Sequence, residues 1–114
     1  MKDWVEVVGV GLMLPGVELG TSYGQPALRF RGRTLAGTTA PDPGSFVLHV
    51  PPAEKEVLLD TDPATFWQTD HYRDWPAILV RYGTGAGDRI ARLLERAWWD
   101  RATARQRLDR GERP

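Results

Sequence analysis

The residues Asp70-His71-Tyr72-Arg73 bring together side chains suited to proton transfer: an imidazole that titrates near neutrality, a carboxylate that could orient it, and a phenol and a guanidinium alongside. Their adjacency works against that use. Neighbours on an extended segment point to opposite faces, and beyond Ser22 and Ser45 the chain offers no nucleophile for such a base to serve. The second histidine, His49, stands at no ligand spacing from His71. The absence of cysteine removes thiolate metal sites, disulfides and cysteine nucleophiles together. The expectation is a protein that is not an enzyme and that has no catalytic residues, no metal site and no cofactor.

Anion binding is the better use of the remaining polar chemistry. Arg29, Arg31 and Arg33 lie on or beside one hairpin, and strict alternation would project Arg29 and Arg31 from the same face, where they could contact phosphates. Tyr72 and Arg73 are candidate contacts from the segment that crosses toward the last strand. Trp67, Tyr72 and Trp75 on that segment could stack bases or line a groove, with Trp67 the one expected in the core. The plainer reading of the arginines is a solvated hairpin face, or pairing with an acid such as Glu18. Thr21 to Pro26 and Gly83 to Gly87 contain glycines but neither the GxxxxGK[ST] nor the GxGxxG pattern, so neither reads as a phosphate loop.

The elements that must position these residues follow from capping and periodicity. Asp3, with Glu6 three residues on, predicts the start of a first helix whose apolar stripe would be Trp4, Val5, Val8 and Leu12, with Pro15-Gly16 as its stop. From Val17 to Val50 the period becomes two. Leu28 and Phe30 alternate with Arg29 and Arg31, and Phe46, Leu48 and Val50 with Val47 and His49, which predicts a meander of half-buried antiparallel strands. Turns are expected at Gly24-Gln25-Pro26, at Gly32-Arg33 and at Pro41 to Gly44. Pro52 opens a helix that should bury Val57 and Leu58, and Ile78 to Tyr82 is the last strand. In the final helix Ile90, Leu93, Leu94, Ala97 and Trp98 share one side, supported on the other by Asp88–Arg92 and Arg96–Asp100 pairs. Trp99 falls on the polar side, so it must be covered by the C-terminal tail, meet a partner subunit or stay exposed.

The segment DPATFWQTDHYRDWPAILVR, Asp62 to Arg81, resembles the characteristic segment of the MmcQ/YjbR-like family. The resemblance extends through LPGVELGTSYGQPALRFRGRTLA upstream and RIARLLERAWWDRA downstream, roughly Leu14 to Ala102. It implies a two-layer α+β fold of the CyaY/YjbR type, an antiparallel sheet with the N- and C-terminal helices packed on one face. It also implies a DNA-binding role through basic hairpin wings. The pattern departs at Asp74 and near Gln68, where family members carry small or basic residues, and Asp74 beside Arg73 weakens the local positive potential. The fold so implied is one the family shares with frataxin, but a first helix with only Asp3 and Glu6 lacks the acidic ridge that iron would need.

Composition sets the outer limits. A chain of 114 residues with 41% hydrophobic content suits a single core, expected over residues 1–101, with 102–114 as a polar, mobile C-terminal tail. Net charge is zero, yet Asp88 to Pro114 holds eight arginines against five acids. The apolar run Val7 to Leu14 is too short to span a bilayer, and a cysteine-free chain suits the cytoplasm. The function expected is a DNA-binding module contacting phosphates through Arg29, Arg31, Arg33, Tyr72 and Arg73. The alternative is a protein- or small-ligand-binding domain, or a homodimer assembled through Trp99 and the sheet.

Overall fold

A computed structural model describes all 114 residues. Asp3 caps α1 (Trp4–Gly11), its carboxylate accepting the Glu6 N–H at 3.0 Å. The face that α1 buries differs from the expected stripe: Val7 and Gly11 are buried, whereas Val5 and Leu12 are exposed. Gly11 explains the rotation. A Cβ there would sit 2.4 Å from Leu28 Cδ1, so the glycine is the point where the helix touches the sheet.

Four strands follow as an antiparallel meander: β1 (Glu18–Ser22), β2 (Gln25–Phe30), β3 (Arg33–Gly37) and β4 (Ser45–His49). After α2 (Pro52–Thr61) and the short β5 (Phe66–Trp67), a 3-10 turn at Asp70–Tyr72 leads to β6 (Ala77–Arg81). Strand β6 pairs with β4, which makes the sheet order β1-β2-β3-β4-β6-β5. Helices α3 (Gly87–Arg101) and α4 (Ala104–Arg110) complete the chain. No helix is long and apolar enough to cross a membrane.

The first two hairpins close through two-residue loops, Tyr23-Gly24 and Arg31-Gly32, in which every residue has positive φ, between 50° and 79°. Such loops match the right-handed twist of the flanking strands. Each lies one residue earlier than the turn residues suggest, with a consequence for the arginines. Arg31 leaves the strand at the loop and no longer shares a face with Arg29.

Leu28, Phe30, Leu35, Phe46, Leu48, Ile78 and Val80 meet α1, α2 and α3 on one face, giving the two-layer α+β arrangement. The α3 stripe is buried as expected, and Trp98, fully buried, stacks on Phe30 and donates its Nε1–H to the Pro15 carbonyl at 2.8 Å. In α2, Leu58 is buried but Val57 is exposed and Lys55 takes its place inside. A smaller apolar cluster, Val47, Ala77 and Leu79 beneath Tyr72, occupies the opposite face.

Residues 102–114, expected as a polar, mobile tail, carry a further helix. Thr103 and Gln106 form a reciprocal capping box that starts α4. Arg110 pairs with Glu95 at 2.9 Å and Arg113 with Asp100 at 3.0 Å, while Arg107 lies over the Trp99 ring and donates to the Trp99 carbonyl. Apolar content is a poor guide to this segment because α4 buries no residue of its own and docks through its guanidinium groups. The same contacts displace the expected i,i+4 support on α3. Arg96 pairs with Glu54 across to α2, and Asp100 with Arg113.

Candidate functional site

With the helices on one face of the sheet, the segment 68–76 covers only the β4–β6 half of the other. Between that segment and the Tyr23-Gly24 turn lies an open groove of about 960 Å³. Arg29, Thr34 and His49 line it from β2, β3 and β4, joined by Arg33 and by Arg101, the last residue of α3. Tyr23 contributes from one half of the sheet, and His71 and Trp75 from the other. No aspartate or glutamate lines the groove.

Local bonding holds the cations in position. Arg29 donates to Thr34 Oγ1 at 2.6 Å and to the Gly32 carbonyl at 2.8 Å, which leaves part of its five-donor fork unused by the protein. Arg101 turns back to the Ala97 carbonyl at 3.0 Å, and its buried Nε–H has no acceptor. Arg31 reaches away from the groove to donate to the Arg101 carbonyl at 2.7 Å, so the hairpin tip is fastened to the C-terminal end of α3. None of Arg29, Arg31, Arg33 and Arg101 forms an ion pair, in contrast to Arg73, Arg96, Arg105, Arg110 and Arg113.

The crowding of positive charge has an electrostatic cost. The His49 imidazole is pushed down to about 4, chiefly by burial and then by Arg101 and Arg29. Burial and the neighbouring Arg33 also push Arg101 down, partly offset by Asp100. Like charges held together with only partial compensation from Asp100 are the electrostatic form of an anion site, because a bound anion relieves the remaining repulsion.

His49 makes a test of this field. Its folded value lies below its ordinary 6.5, so between pH 6.5 and 4 the unfolded chain binds more protons than the folded one. The stabilisation is full above about pH 6.5 and is lost as pH falls toward 4, a contribution of about 2 kcal/mol after allowing for residual solvent around the ring. Urea midpoints should fall more between pH 7 and pH 4.5 for the natural chain than for His49→Gln. A parallel fall in both would remove His49 as the cause.

The aromatic rim is anchored from beneath. Lys55 is only 4% exposed and donates from Nζ to the carbonyls of Tyr72 at 2.5 Å, Trp75 at 3.0 Å and Arg73 at 3.2 Å. Burial pushes its ammonium down, and Asp74 partly restores it. Over this anchor His71, Tyr72 and Trp75 contact one another at 5.2–6.1 Å between ring centres.

Of the residues expected to bind, Arg29, Arg33 and Tyr72 come together at the groove, Tyr72 as a buried wall whose hydroxyl points to the Thr39 carbonyl at 3.4 Å. Arg31 does not join them. Arg73 is exposed outside the groove and paired with Asp70. Trp99 is partly buried under Arg107, the first of the three environments open to it.

The sequence reading missed Arg101, Lys55 and the meeting of both histidines at one groove. Lys55 left a signal, standing three residues before buried Leu58 on the same helical face. His49 shares the outward side of β4 with Val47, but its proximity to Arg29 depends on strand order. Arg101 left no local signal.

A family model described as YjbR matches residues 12–99. The solved structure of Deinococcus radiodurans protein DR2400, with a domain described as DUF419, is similar in fold, with a TM-score of 0.73 at 18% identity, covering 96% of this chain and 88% of that one. No curated protein matches. The family match spans most of the chain, from the end of α1 to the last turns of α3, and so contains the sheet, the Lys55 anchor and the aromatic rim: the chain belongs to the YjbR family.

Proposed function

We propose that this chain is a non-enzymatic DNA-binding module that receives phosphates in the groove on the open side of its sheet. The observation that carries the reading is the convergence of Arg29, Arg33 and Arg101, none of them ion-paired, on a groove without a carboxylate. Guanidinium groups suit phosphate because their donors match its oxygens in pairs. A nucleic-acid ligand and a cysteine-free chain both suit the cytoplasm. Trp99 gives the homodimer reading less support, since Arg107 would have to leave the ring before a partner could reach it.

Fluorescence anisotropy with labelled DNA, both duplex and single strand, at about 50 and 200 mM salt tests the reading. Three phosphate contacts should weaken binding roughly 40-fold between these conditions for the duplex and roughly 20-fold for the single strand. Absence of binding to either form at the lower salt, or binding insensitive to salt, would overturn it.

A further inference from the structure

We infer that the groove takes single-stranded rather than duplex DNA, with an unstacked base against Trp75 and its flanking phosphates on Arg29, Arg33 and Arg101. This inference rests on the DNA-binding reading above and specifies its ligand.

The first reason is the pairing of exposed aromatic rings with unpaired cations in one groove. Trp75 is 42% exposed and Tyr23 is 84% exposed, and both line the groove with the arginines. A duplex keeps its base faces stacked inside and offers only phosphates and groove edges. An aromatic rim beside a cationic floor is complementary to a strand whose bases are free to turn outward, because every base has a face to stack whatever its identity.

The second reason is that the Trp75 ring is exposed yet held. Its carbonyl accepts from Lys55 at 3.0 Å, and the ring rests against His71 at 5.5 Å and Tyr72 at 6.1 Å. A platform ordered before the ligand arrives loses little side-chain freedom on binding. On the hairpin, Tyr23 occupies a loop position at φ 52°, which directs a large ring out from the sheet edge at a backbone cost that asparagine or glycine would avoid.

The third reason is the lack of a reading element for a duplex. Helices α1, α2 and α3 pack on the other face of the sheet and no α4 residue lines the groove, so no helix projects from it into a major groove. The β2–β3 ribbon could serve instead, but its tip residue Arg31 is fastened to the Arg101 carbonyl. Arg29 and Arg101 are themselves half-buried, reachable by a single backbone entering the groove more readily than by the convex surface of a double helix.

The test compares a labelled pyrimidine strand of about twelve nucleotides with the same strand annealed to its complement, both at low salt. The single strand should bind at least about 10-fold tighter and quench tryptophan fluorescence. Trp75→Ala should weaken single-strand binding roughly 10-fold and duplex binding far less, and Trp75→Phe should restore most of the single-strand loss. Tyr23→Asn keeps the loop conformation and supplies a second variant that does not depend on the Lys55 anchor. Equal or tighter duplex binding, or equal losses on both forms in the variants, would overturn the single-strand inference and leave DNA binding standing. Failure to bind either form would overturn both.

Discussion

Replacing Lys55 with methionine should lower stability by about 3 kcal/mol and the melting temperature by roughly 15 °C. Methionine fills most of the space of the lysine stem, so the loss isolates the ammonium. Removing a buried charge recovers its desolvation cost, and where both members of an ion pair are replaced the exchange is often neutral. Here the acceptors remain. The carbonyls of Tyr72, Arg73 and Trp75 belong to the backbone of a tight turn and would each lose a charge-assisted bond. Calorimetric or denaturant unfolding reads the loss, and amide exchange should quicken across residues 70–76. A variant that melts with the natural chain would show that water can replace the ammonium and that the aromatic rim has another anchor.

Arg33→Glu combined with Arg101→Gln should weaken DNA binding by about two orders of magnitude at 50 mM salt and reduce the salt slope by roughly two. Two phosphate contacts are removed and a repulsive charge is placed where one of them stood. Stability should move the other way. In the natural chain Arg33 disfavours the charge on the half-buried Arg101, so Arg33→Glu alone should hold or raise the melting temperature while binding falls. Opposite movements are expected of charges kept together for a ligand at the expense of the fold. Unchanged affinity and slope in the double variant would remove this groove as the phosphate site.

The two substitutions probe different parts of one arrangement. Lys55 acts on the aromatic rim without lining the groove, whereas Arg33 and Arg101 line it. If stacking and phosphate contact cooperate, the methionine variant should also lose single-strand affinity at temperatures where it remains folded, because a loosened rim must be ordered again on binding.

Elements whose cause lies within a few residues were legible in the chain. The Asp3 cap, the alternation of Leu28 and Phe30 with Arg29, and the buried stripe from Ile90 to Trp98 all occur as read. Each depends on neighbours within one turn or along one strand, where period and capping chemistry act directly. Boundaries were less secure. The β2–β3 loop is Arg31-Gly32 rather than Gly32-Arg33 because strand twist selects two successive positive-φ residues, and turn-forming residue types alone do not choose between the two registers. That shift of one residue separates Arg31 from Arg29.

The terminal helices, the antiparallel meander and the basic character of the hairpin were therefore properties of the chain's local chemistry, and the two-layer α+β arrangement was what the family resemblance implied. The groove was neither. It forms because β6 enters beside β4, because Lys55 draws the 70–76 turn down over the sheet, and because the end of α3 meets the hairpin through a bond spanning 70 residues, from Arg31 to Arg101. Contacts at such separations carry no periodic signal, since they are selected by the packing of whole elements against a shared core. For the same reason eight arginines near the C-terminus could be counted in advance, while the one among them that faces the groove, Arg101, emerged only when that core brought α3 to the hairpin.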